Sequence, residues 1–196
     1  MSYVGNGIPM LIRRMVPQPT REEDIRCVTP FFETYYAAHK QDFTAPYPGI
    51  LAMLDTITAR QQDATAHVQE WENQMDVVIA DVPCSGYGII RKKPDIRYKN
   101  LKEMEALPAL QRAILQNAAS YVRPGGLLLY STCTLVWAEN EGMVEAFLQE
   151  NPAFSLEKLP LPAAFPENAT GMLALVPGQY DTDGFFIARL RRKACI

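Results

Sequence analysis

Two cysteines in this 196-residue sequence stand where a thiol could do chemistry: Cys84, in Asp81-Val82-Pro83-Cys84-Ser85-Gly86, and Cys133, in Ser131-Thr132-Cys133-Thr134. A cysteine acts as its thiolate, which adds to electron-poor carbon, binds metal or exchanges with other thiols. Pro83 fixes its own φ and biases Val82 toward an extended shape, while Ser85-Gly86-Tyr87-Gly88 lets the backbone turn sharply or approach a ligand closely. The first thiol is therefore expected on a stiff support. The four cysteines, Cys27, Cys84, Cys133 and Cys195, are scattered and include no C-x-x-C pair, so neither a disulfide framework nor a zinc knuckle is expected. No metal is expected at Cys84 or Cys133, since neither neighbours another ligand at suitable spacing.

The elements that must hold these thiols follow from their flanks. Asp76-Val77-Val78-Ile79-Ala80 is a β-branched apolar run without alternation, which suits a strand covered on both faces in a parallel sheet and closed by Asp81. Leu127 to Tyr130 is a second such run, entered through the helix stop Arg123-Pro124-Gly125-Gly126, with Ser131 to Thr134 at its carboxyl end. Between them, Leu107, Leu110, Ile114, Ala118, Tyr121 and Val122 follow helical spacing, and Pro108 suits a first turn. Strand, helix, strand makes a right-handed crossover with the strands parallel and adjacent. Open α/β sheets hold ligands outside the carboxyl ends of their strands, so both cysteines are expected to face one crevice. A helix N-terminus after Thr134 would help to form a thiolate there.

At these residues the sequence resembles the Fmu/Sun family of RNA cytosine-5 methyltransferases, most of all its bacterial 16S rRNA branch. The resemblance is carried by DVPCSGYGIIRKKPDIRY, by YSTCT followed by Glu139-Asn140-Glu141, and by Asp183 to Leu190, which is similar to that family's last strand. With Gln62-Asp63-Ala64-Thr65 it covers roughly residues 55 to 192. It implies an α/β, Rossmann-like fold dependent on S-adenosylmethionine, with Cys133 as nucleophile toward carbon 6 of cytosine and Cys84 assisting product release. It further implies that Asp63 lies near the cofactor's adenine; the plainer reading is that Asp63 caps the turn before Ala64 and Thr65. Asp81 would border the cofactor and accept a hydrogen bond from the cytosine exocyclic amine.

Charge narrows the choice of partner. The net charge is −3, so any RNA contact must be local, and the candidates are Arg91, Lys92, Lys93, Arg97 and Lys99 with Tyr98, or the tail Arg189, Arg191, Arg192 and Lys193. Hydrophobic residues make up 48% and charged residues 21%, an ordinary globular balance. No apolar run reaches the roughly 20 residues that span a bilayer, and no signal-peptide core opens the chain, so a cytoplasmic setting without membrane contact is expected.

Residues 1–54 read as an irregular segment broken by prolines, and 55–196 as the C-terminal part of a catalytic domain. Upstream of Asp63 the glycine-rich cofactor loop implied by the resemblance has no convincing counterpart. Gly5 and Gly7 are the only close glycine pair, no strand precedes them, and Asp24 and Asp42 stand in the wrong surroundings for a ribose-binding acid. The expected fold is thus incomplete in its N-terminal half. Ile57 to Gln62 reads as a strand ending at Asp63, Glu139 to Gln149 as a helix, Phe154 to Leu159 as a strand, Met172 to Val176 as a short strand in a long loop, and Gly184 to Leu190 as the last strand. The leading expectation is an RNA methyltransferase. Its rivals are an RNA-binding remnant without the cofactor loop and a thiol-based redox or metal-binding protein.

Overall fold

The computed structural model describes residues 22–39, 47–100, 104–162, 165 and 170–194, so Gly5, Gly7, Asp42 and Cys195 lie outside the described residues. The chain divides into two units, Met1–Gln61 and Gln62–Ile196.

In the first unit, helix α1 spans Glu22–His39 and α2 spans Ile50–Leu54. The segment expected to be irregular therefore contains an 18-residue helix. Glu22, Glu23 and Asp24 fill its first turn, where the helix dipole favours negative charge. Pro30 lies inside it, removing one backbone donor and masking the helix from a reading of periodicity.

The second unit is a mixed sheet with helices packed on it. Its strands are β1 (Met75–Asp81), β2 (Val122–Thr132), β3 (Phe154–Leu156), β4 (Met172–Leu175) and β5 (Phe185–Arg192). Their order is β1-β2-β5-β3, with β4 also paired to β5. β1 and β2 are parallel and adjacent, as the crossover predicts, while β5 runs antiparallel to β2, β3 and β4. The connecting helix α3 spans Leu107–Tyr121 with Pro108 in its first turn, and α4 spans Glu141–Glu150. α3 buries Ile114, Leu115, Ala118 and Ala119 against the sheet, where Leu128, Tyr130, Phe186, Ala188 and Leu190 are fully buried. Each such large apolar side chain contributes about 1.5–3 kcal/mol by leaving water.

Three expectations change. β1 is half-buried: Ala80 packs in the core, while Val77 and Ile79 are 49% and 67% exposed. α3 covers one face of this edge strand and no described element of the second unit covers the other. Ile57 to Gln62 forms no strand, because a strand needs a neighbour to take its backbone hydrogen bonds and none of the described residues does so. β2 starts immediately after α3, so Arg123-Pro124-Gly125-Gly126 is an irregular stretch of strand standing opposite Asp76 alone, with Gly125 at φ 77°.

Candidate active site

The parallel register places the thiols. Asp81 pairs with Ser131, and Val82 N–H donates to the Ser131 carbonyl at 3.2 Å, so both chains leave the sheet at one level. Beyond that point Cys84 Sγ lies 3.2 Å from Cys133 Sγ and accepts the Cys133 N–H at 3.3 Å. Burial and the neighbouring Cys133 sulfur push the Cys84 thiol up to about 12, which keeps it protonated near neutral pH. After Thr134 an extended stretch and a short 3-10 turn, Trp137–Glu139, come first, and the helix expected from Glu139 begins at Glu141.

Both sulfurs line a crevice of about 510 Å³, together with Asp81, Lys93, Lys99 and Phe185. Asp81 accepts a hydrogen bond from Ser131 Oγ at 2.8 Å and stays exposed at the carboxyl end of β1. The loop after Cys84 is held from several sides. Gly86 turns it at φ 78°, Lys99 Nζ donates to the Ser85 carbonyl at 3.0 Å, and Gly88 N–H donates to the Cys133 carbonyl at 3.0 Å. Gly184 N–H closes on the Gly88 carbonyl at 2.8 Å, tying this loop to the entrance of β5.

The remaining expected site residues separate. Lys93 reaches the crevice wall, whereas Lys92 Nζ sits 2.5 Å from Asp183 Oδ2, with Arg91 3.4 Å from Oδ1. The Lys92 ammonium holds the Asp183 carboxyl below the usual carboxylate range. Arg97 is exposed on the short helical turn Pro94–Tyr98 and does not line the crevice. Asp63 caps its own turn, Oδ1 accepting the Thr65 N–H at 2.9 Å and the Thr65 hydroxyl at 2.8 Å, and it too stands away from the crevice.

Residues 50–191 match the family described as 16S rRNA methyltransferase RsmB/F. The chain belongs to this RsmB/F family. Both cysteine loops and the closing strand through Arg191 fall inside the matched residues. A similar curated relative, the probable ribosomal RNA small subunit methyltransferase B of Bacillus subtilis (strain 168), is 41% identical over 146 residues, 71% of this chain and 33% of the relative. Ribosomal RNA small subunit methyltransferase B of Thermus thermophilus is 41% identical over 134 residues, 68% of this chain and 32% of the relative. This RsmB/F chain thus spans about a third of the length of these relatives. Among solved structures it is similar to NSun6 from Pyrococcus horikoshii with SFG, at 31% identity and TM-score 0.53, covering 68% of this chain and 34% of that one. The fold is accordingly α/β, of the Rossmann-like methyltransferase type, present in part.

Whether these residues fit S-adenosylmethionine, the cofactor this fold implies, turns on two observations. Asp81 offers an exposed carboxyl on the crevice. Asp63, however, spends Oδ1 on Thr65, and among the described residues upstream of it no strand leads into a glycine turn. The described residues fit a substrate crevice and do not make a complete cofactor grip.

The sequence reading named Ser85, Thr132, Thr134, Glu139 and Asn140 without a role in holding the thiols, and it missed Gln111; all six are buried polar side chains surrounding the two thiols of this RsmB/F site. One signal was available: Gln111 falls on the apolar stripe of α3, between Leu107 and Ile114, where a polar residue must find buried partners.

Proposed function

We propose that this chain carries the substrate-reacting part of an enzyme that methylates carbon 5 of cytosine in RNA, with ribosomal RNA as substrate and a cytoplasmic site of action. The observation that carries this reading is the pair of thiols 3.2 Å apart at the carboxyl ends of adjacent parallel strands. Carbon 5 of cytosine is a poor nucleophile until a thiolate adds to carbon 6 and makes the ring electron-rich, and covalent catalysis divides that difficulty in two. The family resemblance gives the nucleophile's role to Cys133, and burial that holds the proton on Cys84 supports that choice. Cys133 Sγ forms the bond to carbon 6; loss of the carbon 5 proton later returns the electron pair that breaks it. Cys84, at hydrogen-bond distance, assists that release. Asp81 accepts a hydrogen bond from the exocyclic amine and so selects cytosine over uracil. Lys93 on the crevice wall, and Lys92 and Arg97 beyond it, meet the RNA backbone. S-adenosylmethionine, when bound, supplies the methyl group; the likeness to NSun6 with SFG, an analogue of it, supports that choice.

Trapping on 5-fluorocytosine RNA tests the reading. Cys133→Ala should form no covalent adduct, whereas Cys84→Ala should accumulate one on a denaturing gel. The reverse pattern would exchange the two roles. A second reading, an RNA-binding remnant without methyl transfer, is favoured by the Asp63 turn, whose carboxyl is engaged by Thr65. Retained RNA binding without adduct or methyl transfer in the wild-type chain would select it.

A further inference from the structure

Beneath the crevice, each cysteine is gripped by the residues on either side of it. Before Cys84, the Pro83 carbonyl accepts Gln111 Nε2 at 2.8 Å; after it, Ser85 N–H donates to Glu139 Oε2 at 2.9 Å. Gln111 Nε2 also donates to that same Glu139 oxygen at 2.8 Å, closing the ring around Cys84. Cys133 is treated alike by one side chain. Thr132 Oγ1 donates to Asn140 Oδ1 at 2.6 Å, and Asn140 Nδ2 donates to the Thr134 carbonyl at 3.0 Å. A cross-strut joins the halves, the Ser85 and Thr134 hydroxyls lying 2.6 Å apart. The shared anchor is tied to β2, since Tyr130 OH donates to the Glu139 carbonyl at 2.7 Å.

We propose that the dipeptide Glu139-Asn140 is a positioning device that fixes the separation of the two sulfurs, each residue referring one cysteine loop to the same peptide unit. Neither residue lines the crevice, so neither is catalytic. Glu139 and Asn140 are 3% and 1% exposed, and apolar residues of similar volume would fill such a place at no desolvation penalty. Their polar ends make sense by what they hold. The proposal rests on the reading of Cys84 and Cys133 as the reacting pair, but its test uses neither RNA nor cofactor.

That test is the equilibrium of the Cys84 and Cys133 thiols with glutathione. One glutathione disulfide accepts the two electrons and leaves as two glutathione thiols, while the two protein sulfurs join and their two protons end on the glutathione sulfurs. The ratio at which half the 196-residue chain carries the Cys84–Cys133 link, read by peptide mapping, gives the effective concentration of one thiol at the other. Asn140→Asp keeps the shape and loses the donor to Thr134, and Glu139→Leu removes the acceptor for Ser85 and Gln111. Each should lower that concentration about tenfold or more, since small misplacement of reacting atoms is strongly penalised. Glu139→Gln, which retains an acceptor oxygen, should stay within about threefold of wild type on the same scale. Folded variants with the wild-type value would overturn the proposal, as would a wild-type chain that never forms the link. If those variants do not fold, Thr132→Val removes only the hydroxyl that grips Asn140; a drop of about threefold supports the device and an unchanged value refutes it. A wild-type chain that forms the link as expected but transfers no methyl group would count against the proposed reaction instead.

Discussion

Gly88→Ala should dislocate the Cys84 loop, because Gly88 is where three backbone segments meet. Its N–H bonds the Cys133 carbonyl, its own carbonyl takes the Gly184 N–H, and a Cβ built on it would lie 2.2 Å from the Gly184 oxygen and 2.8 Å from the Cys133 oxygen. A carbon and an oxygen do not approach that closely, and both obstacles are main chain, so no rotamer change relieves the clash. Either the Cys84 loop or the β5 entrance must retreat by about 1 Å, at the overpacking penalty of about 1–3 kcal/mol. For a unit of this size that corresponds to a melting temperature lower by roughly 4–12 °C. A shift that large also stretches the two backbone bonds, each contributing about 0.5–1.5 kcal/mol. Thermal unfolding followed by circular dichroism gives the first quantity, and the glutathione equilibrium of the two thiols reports the second as a larger sulfur separation. Gly184→Ala attacks the same contact from the other side, its Cβ meeting Gly88 Cα at 2.6 Å. The double variant should therefore lose less stability than the sum of the single ones, as expected for residues in direct contact. A Gly88→Ala chain with wild-type melting and wild-type thiol equilibrium would refute the convergence argument.

Three further outcomes are expected. Lys93→Ala should weaken RNA binding and reduce the slope of log affinity against log salt by about 0.7, one phosphate contact on a single strand, with melting unchanged, whereas Lys92→Ala should also lower the melting temperature by leaving the buried Asp183 with Arg91 alone; salt titration and unfolding separate them. Calorimetric titration of the 196-residue chain with S-adenosylmethionine should give binding weaker than about 1 μM, because among the described residues no strand and glycine turn precede Asp63; tighter binding would mean that another part of the chain completes the grip. Raising the pH should erode stability from about 9, where an unfolded thiol ionises, toward about 12, because the buried Cys84 holds its proton through that window while the unfolded chain gains by losing it. Cys84→Ala should flatten the alkaline fall of the urea midpoint, and parallel curves for the two chains would refute the assignment.

What could be read beforehand was whatever depends on neighbours in sequence. β1, β2 and β5 announce themselves by short apolar runs, α3 by the spacing of Ile114 and Ala118, and the thiols by standing where those strands end. The failures have a common cause in partners. Ile57 to Gln62 has strand-like residues and no ladder to join. The ion pair of the exposed Lys92 was not legible because Asp183, its partner, comes from the far end of the chain. The ring around Cys84 gathers Ser85, Gln111 and Glu139 from three separate elements, each polar and unremarkable alone. α1 was hidden by Pro30, since a proline reads as a stop even where the helix passes through it.

The register between β1 and β2 is itself a determinant of the site. Val78 and Ala80 face the same side as their partners Leu128 and Tyr130, while Val77, Ile79 and Asp81 face the other. A slip of one residue would move Cys84 about 3.3 Å along the sheet, as much as the present separation of the sulfurs, and would turn every β1 side chain over. It would also drive Asp81 toward the apolar core, where an ionised carboxyl without a partner is strongly disfavoured. The carboxyl that stands at the crevice thereby also opposes misregistration. Asp76 adds a second check at the opposite end of β1, where Arg123 Nε donates to its Oδ1 at 2.7 Å across the irregular entry to β2. Acidic residues at both ends of a half-buried strand thus hold the level at which its cysteine meets Cys133, and reactivity at that crevice is set by strand pairing before any thiol ionises.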